Sequence, residues 1–206
     1  MNSLEKAQQC QDRIKQIINQ EYNKWLDDAY RYGKAMLLKK KPQDINHLKA
    51  KEILKQIVDE EDTFIETNYQ ALIHLCDLYL TDLCEINDLK ALDEIHPYLT
   101  QLKDIAKSQQ SFWLLVEAYS FQAKLKLITF EFKEAQKLLT KALDIAEKYG
   151  QILLAERISM EQDELLNEKS RWETLEKSKA IMAERIELAH LNNQIVQMLR
   201  KRVYLN

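Results

Sequence analysis

The chain has 206 residues, of which 46% are hydrophobic, enough to form the hydrophobic core of one or two domains. Its net charge of −3 disfavours binding to nucleic acid, which usually needs an excess of basic residues. It contains 2 glycines and 2 prolines, whereas about 14 and 10 are usual at this length. Because tight turns in sheets and phosphate-binding loops both need glycine, the composition excludes a Walker loop, a dinucleotide fingerprint and a glycine-flanked nucleophile elbow, and it predicts an all-α protein.

Apolar residues recur at helical spacing along almost the whole chain. The first predicted helix runs from about 3 to 40, carries Trp25 on its apolar stripe, and ends at the lysines before Pro42. The second and fourth predicted helices can be capped by Asp44 and Asp88. After the first helix, the predicted helices lie at about 44–60, 63–85, 89–107, 110–129, 132–149, 151–168 and 171–203.

Two residues are expected to modify these helices. Pro97 lies inside the fourth predicted helix and removes one backbone amide, so it predicts a kink or a helix in two parts. Gly150 follows the sixth predicted helix, at the position where a residue in the left-handed conformation ends a helix. Because the predicted connections are short, successive helices are expected to be antiparallel neighbours.

Charge is unevenly distributed along the chain. Residues 61–110 carry a net charge of −7, whereas residues 1–60 carry +3 and residues 111–206 carry +1. The acidic middle third either attracts a basic partner or forms a helix face that is simply exposed to solvent. The three cysteines are too few for a disulfide framework, and neither a signal sequence nor a membrane-spanning run is recognisable. These features predict a cytoplasmic protein.

Short segments recur at an offset near 40 residues. The Asp-Ile-Ala segment at 104–106 returns at 144–146, and the Leu-Leu pair at 114–115 returns at 153–154. Two helices of about 17 residues with two short turns fill such a period. The offset therefore predicts an array of helical hairpins, each of which buries its apolar face by stacking on the next hairpin.

Residues 118–150 resemble the tetratricopeptide-repeat family. Ala123, Ala135 and Ala142 provide small residues where helices approach closely, and Phe132 stands near the turn. The chain departs from the family in its longer period and in the absence of the usual turn glycine and closing proline. Over about 48–206 it is similar to long-period helical arrays of Asgard-type archaeal proteins.

This resemblance implies a single domain built as a right-handed α-solenoid of about eight helices. The repeat period, together with the absence of a catalytic constellation, favours a non-catalytic protein-interaction module, an adaptor or scaffold, without a cofactor. The expected layout of residues 1–206 is a long capping helix at 1–43, repeat hairpins at 44–168 and a long C-terminal helix at 169–206.

The first helix of each hairpin in such an array lines a concave groove. Alignment of the third and fifth predicted helices pairs polar residues that stand among apolar neighbours. These residues are the candidate groove for a protein or peptide partner: His74, Asp77, Thr81, Glu117, Ser120 and Lys124. A groove with histidine and aspartate suits a basic or polar ligand; otherwise these side chains simply face solvent.

The last predicted helix carries two apolar stripes. The first consists of Leu175, Met182, Ile186, Ala189 and Val196, and the second of Ile181, Leu188, Leu191, Ile195 and Met198. A terminal helix docked on one neighbour needs one apolar face. The second stripe therefore predicts a further contact, with a sister subunit in a homodimer, with the long first helix or with a missing domain.

No pattern in the sequence indicates catalysis. The four histidines are far apart, and no pair of His or Cys residues has the spacing of metal ligands. The acidic run at 59–62 is interpreted as solvated helix ends and the basic run at 200–202 as a favourable helix C-terminus. The sequence thus favours an interaction module over an enzyme, with neither nucleic acid nor membrane as partner. The alternative is a sensory array that binds a small ligand and controls an attached domain.

Overall fold

The computed structural model describes residues 3–41, 44–87 and 89–200. Within these ranges the chain forms eleven α-helices and no strand. The all-α prediction is confirmed, whereas the predicted number of about eight helices is wrong. The helices are α1 (Ser3–Gln20), α2 (Lys24–Lys39), α3 (Asp44–Asp59), α4 (Ile65–Ile86), α5 (Ala91–Ser108), α6 (Phe112–Ile128), α7 (Phe132–Lys148), α8 (Ile152–Asn167), α9 (Lys169–Ser178), α10 (Met182–Leu188) and α11 (Leu191–Arg200).

The chain divides within α4 into two compact units, residues 1–78 and residues 79–206. The predicted layout as one domain over 1–206 stays a prediction. In unit 1, α1 packs on α2 and α2 packs on α3. Ala35 of α2 and Ala50 of α3 are fully buried, and such small side chains allow two helices to approach closely.

The first predicted helix is in fact two helices. Asn23 adopts an extended conformation and its Oδ1 accepts a hydrogen bond from the amide of Leu26 at 3.2 Å, so it caps a new helix, α2. Trp25 lies in the first turn after this break and is 56% exposed, so its predicted core position is wrong. Pro42 and the side chain of Asp44 lie outside the described residues.

Unit 2 contains the consecutive helices α5 to α8, in which α6 and α7 form the helical hairpin of the predicted repeat at 118–150. Neighbours along the chain pack against each other from α5 to α8, and each of these helices begins and ends within two residues of its predicted bounds. Pro97 lies inside α5, which continues through it, so of the two predicted alternatives the helix in two parts is wrong and the kink stays a prediction. Asp88, the predicted cap of that helix, lies outside the described residues.

The connections between these helices share one backbone conformation. Gln110, Phe130 and Gly150 are left-handed, with φ of 52°, 62° and 66°, and they follow one another at intervals of 20 residues. After each of them, the next amide donates to a carbonyl five residues earlier, at 2.8, 2.9 and 2.8 Å. This is the hydrogen bond of a Schellman helix end. The predicted role of Gly150 is confirmed, and two helices together fill the predicted period of 40.

Helix α6 lies at the centre of unit 2. It packs against α5, α7, α10 and α11, and its side chains are buried on every side. A helix that is apolar around its whole circumference is expected in such a position. The three polar residues that it buries, Glu117, Ser120 and Lys124, are therefore held in an apolar environment.

The predicted C-terminal helix is three helices, because two residues in it take the left-handed conformation. Lys179 and His190 each have a φ of 53°. Lys179 ends α9, where the amide of Ala180 donates to the carbonyl of Leu175 at 2.9 Å. His190 separates α10 from α11, so the chain turns back and packs both helices on α6. The expectation of one long helix at 171–203 is wrong.

Candidate functional site at helix α6

Two of the candidate groove residues lie in unit 1. His74 and Asp77, both on α4, contact the ammonium group of Lys39 from α2: Nδ1 of His74 lies 2.9 Å from Nζ, and the carboxylate of Asp77 pairs with the same group. Burial, and secondly the charge of Lys39, lower the pKa of His74 to about 3, so its imidazole is neutral and accepts the hydrogen bond. The basic group that this pair binds belongs to the chain itself.

The other four candidates lie in unit 2. Thr81 is half-buried on α4. Glu117, Ser120 and Lys124 lie on one stripe of α6, where side chains from α8 and α11 meet them. We call this set the buried polar cluster, and it consists of Glu117, Ser120, Lys124, Arg157, Glu161 and Gln194.

Glu117 is the centre of the buried polar cluster. Its Oε2 accepts hydrogen bonds from Nη2 of Arg157 at 2.8 Å and from Nε2 of Gln194 at 2.5 Å. Desolvation raises the pKa of the Glu117 carboxyl, although the positive charge of Arg157 and these two hydrogen bonds act in the opposite direction. Only 2% of Glu117 is exposed, so the carboxylate depends on both donors.

Ser120 and Lys124 extend the cluster along α6. The hydroxyl of Ser120 donates to Oε2 of Glu161 at 2.8 Å, with Oε1 of Gln194 at 3.3 Å, and the ammonium of Lys124 lies 3.4 Å from Oε1 of Glu161. Glu161 belongs to α8 and Gln194 to α11. The cluster therefore ties three helices together inside unit 2.

Sequence reasoning identified the α6 members of the cluster and missed those on α8 and α11. Arg157 and Glu161 stand four residues apart on α8 and face α6, a spacing that places them on the same side of a helix. Gln194 gives no such signal, because it lies 77 residues after Glu117 in an ordinary amphipathic helix. Its position follows from the turn at His190.

The residues of the predicted second stripe are mostly internal. Leu188, Leu191, Ile195 and Met198 are at most 8% exposed, and Ile181 alone in this set is 52% exposed. They are buried because His190 turns α11 back onto α6. The prediction of a further contact assumed one continuous helix, and the structure removes that basis.

An open pocket of about 600 Å³ lies beside the cluster. Trp113, Arg157 and Arg200 contribute to its wall, together with the start of α8 at 151–154. Four large apolar residues of α8 are exposed: Ile152, Leu153, Met160 and Leu166. Ile152 and Leu153 lie in the wall of this pocket.

A second charged cluster, in unit 1, includes one residue of the acidic run at 59–62. Asp59, Glu61 and Asp62 are exposed, as interpreted, whereas Glu60 is partly buried. Glu60 accepts hydrogen bonds from both terminal nitrogens of Arg31, at 2.5 and 2.7 Å, and lies 2.5 Å from Nζ of Lys24. Asp28, fully buried, bonds Arg31 at 2.7 Å. Hydrogen bonds from Arg31, then from Lys24, lower the pKa of Glu60 to about 2. These groups connect α2 to the start of the α3–α4 connection and serve stability.

No protein family, curated protein or solved structure matches this chain. Among the described residues, no three His, Cys, Asp or Glu side chains are grouped so that they could hold a metal ion. Within the same ranges, every helix falls short of the length and apolar character that crossing a bilayer requires.

Proposed function

We propose that this protein is a non-catalytic interaction module of the tetratricopeptide-like kind, which holds an amphipathic helix against α6. One observation carries the proposal: the α6 surface already holds such a helix, α11. Leu191, Ile195 and Met198 of α11 are buried, and Gln194 between them bonds Glu117 and Ser120. A helix bound here must present apolar residues and, between them, a polar group that bonds the buried Glu117. The surface therefore discriminates between helices of different sequence.

The helical-hairpin array expected from the sequence belongs to this proposal. Its support is the identical helix end at Gln110, Phe130 and Gly150, spaced by 20 residues. In stacked hairpins of that period, alternate helices such as α6 and α8 line one face. Arg157 and Glu161 of α8 meet Glu117 and α11 on that face.

A scaffold or adaptor needs a second surface, and the exposed apolar residues of α8 are suited to that role. Leu153 is 82% exposed and Met160 is 70% exposed, and their spacing of seven residues places them on the same side of the helix. A protein that binds through both surfaces brings two partners together, as an adaptor does.

The proposal is tested with a fluorescent peptide of residues 188–200, added to the full chain carrying Gln194→Ala. We expect tighter binding to this variant than to the wild type, in which the chain's own α11 competes at an effective concentration on the order of millimolar. A peptide carrying Gln194→Ala should bind at least about tenfold more weakly, because it lacks the hydrogen bond to a buried carboxylate.

The matched control is a peptide carrying Asn193→Ala, since Asn193 is exposed on α11. It should bind as the unaltered peptide does. Absence of binding in fluorescence anisotropy, or equal affinity for all three peptides, would contradict the proposal.

A further inference from the structure

The connection between α10 and α11 is a single-residue hinge. Ala189 still has right-handed helical angles, with φ of −74° and ψ of −6°, and only His190 departs from them, with a φ of 53°. Side chains rarely adopt this conformation unless the residue is glycine. A return of His190 to helical angles would join residues 182–200 into one helix about 28 Å long.

The apolar pattern runs through this hinge without interruption. Leu188, Leu191, Ile195 and Met198 follow one another at spacings of three, four and three residues, which place them on one stripe of a continuous helix. In the closed form all four are buried in unit 2. In a continuous helix the last three would leave α6 and would need another surface to cover them.

Such a movement displaces α11 and leaves α10 where it is, because α10 has contacts of its own that do not involve α11. The amide of Met182 donates to Oδ1 of Asn87 at 2.7 Å. The guanidinium of Arg185 donates to the carbonyls of Ala180 and Ile128 at 2.9 and 3.2 Å and lies 4.4 Å from the centre of the Phe130 ring. Opening at His190 therefore keeps α10 in place and moves α11.

We propose that α11 exchanges between two copies of this chain, so that α11 of each copy occupies the α6 surface of the other. A second copy is the occupant that fits, because it offers the same Leu, Gln, Ile and Met side chains to the same buried polar cluster. The exchange is reciprocal and closes as a symmetric dimer. It recovers the contacts of α11 with α6 and with the buried polar cluster and removes two left-handed residues. This inference rests on the proposed function, since it requires the α6 surface to accept a helix from outside its own chain.

The experiment compares two substitutions at the same position of the full chain, His190→Ala and His190→Gly. Both remove the contact of His190 Nε2 with Glu164, at 3.5 Å, and differ in their preference for the left-handed conformation. Because each dimer contains two hinges, we expect the dimerisation constant of H190A to exceed that of H190G by about 30-fold or more. Light scattering after gel filtration, over a concentration series equilibrated in mild urea, measures it.

A control separates exchange from contact between outer surfaces. Val196 lies on the outer side of α11 and is 43% exposed, so V196D should leave an exchanged dimer intact and abolish a dimer formed through that face. Equal dimerisation of H190A and H190G, monomers at every concentration, or loss of the dimer in V196D would overturn the inference. If the variants stay monomeric while the 188–200 peptide still binds the Gln194→Ala chain, exchange fails and the proposed function stands; if that peptide does not bind, the proposed function itself fails.

Discussion

Replacement of Gln194 by leucine tests whether the buried polar cluster stabilises the closed form. Leucine has nearly the volume of glutamine, so the substitution opens no large cavity. It removes the 2.5 Å hydrogen bond to the Glu117 carboxylate and the 3.3 Å contact with Ser120. Arg157 then remains as the donor to Glu117 within the cluster.

The magnitude follows from the kind of hydrogen bond that is lost. Hydrogen bonds to charged groups stabilise proteins by about 1.5–3 kcal/mol, and an acceptor left unsatisfied in a buried site adds a desolvation penalty. We therefore expect Gln194→Leu to lower the free energy of unfolding of unit 2 by about 2–3 kcal/mol. With a urea dependence of about 1–3 kcal/mol per molar, this corresponds to a midpoint lower by roughly 1 M.

The loss should also depend on pH, because Glu117 titrates. Burial raises the pKa of its carboxyl, and the Gln194 amide counteracts this by favouring the ionised form. Without the amide the pKa in the folded state rises further above that of the unfolded chain. Ionisation of Glu117 then opposes folding more strongly at pH 7, whereas at pH 4 the carboxyl is mostly protonated in both states and the difference shrinks.

The assay is urea unfolding at pH 7 and pH 4 in a background carrying Trp25→Phe and Trp113→Phe, so that the fluorescence comes from Trp172, which is 1% exposed within unit 2. Asn193→Leu is the control, because it changes an exposed amide on the same helix. A penalty below about 0.5 kcal/mol, or the same penalty at both pH values, would refute the reasoning.

Three further substitutions test other contacts through urea unfolding. Glu60→Gln should lower the free energy of unfolding by about 1 kcal/mol, after allowance for solvent screening. Because the pKa of Glu60 is lowered to about 2, its ion pairs contribute fully above pH 4.5, and their contribution is lost as the pH falls towards 2. Gly150→Ala should cost about 1 kcal/mol, because φ is +66° although the added methyl would meet nothing within 4 Å. The pKa of His74 is lowered to about 3 in the folded chain. As the pH falls below 6.5, the imidazole is therefore protonated in the unfolded chain and stays neutral in the folded chain. Stability should therefore decrease from pH 6.5 towards pH 3, and His74→Gln should flatten this slope.

Each of these predictions has an outcome that contradicts it. Glu61 is exposed beside Glu60, so an equal loss in Glu61→Gln would show that the pairing of Glu60 contributes nothing. Gly150→Asn should cost less than Gly150→Ala, because asparagine tolerates the left-handed conformation; equal losses would exclude backbone strain as the cause. An unaltered pH slope in His74→Gln would assign that slope to other groups.

Local sequence accounted for most of the hairpin region. The bounds of α5 to α8 follow from apolar periodicity and from short connections that interrupt it. The breaks at 21–23 and at His190 escaped prediction because such short interruptions leave the apolar spacing on either side unchanged. Asn23 did give a signal, since asparagine is among the preferred N-cap residues of helices. His190 gave none.

The candidate site was predictable to a similar degree. Glu117, Ser120 and Lys124 share a stripe at intervals of three and four residues on an apolar helix, a pattern that marks buried polar groups. Their partner Gln194 was not predictable, since only the return of the chain through Lys179 and His190 brings α11 to α6. That the six candidate groove residues bind a protein or peptide partner stays a prediction.

The enclosure of α6 by four neighbouring helices also has a kinetic consequence. Its amide protons can exchange with solvent only when the surrounding helices separate, so they report the largest opening free energy of unit 2. The amides of α11 exchange through a smaller opening, in which α11 separates from α6 and this short helix, without its packing, unfolds locally. In deuterated water, α11 should therefore become labelled long before the helix it covers, and the ratio of the two rates measures how often the chain uncovers its own centre.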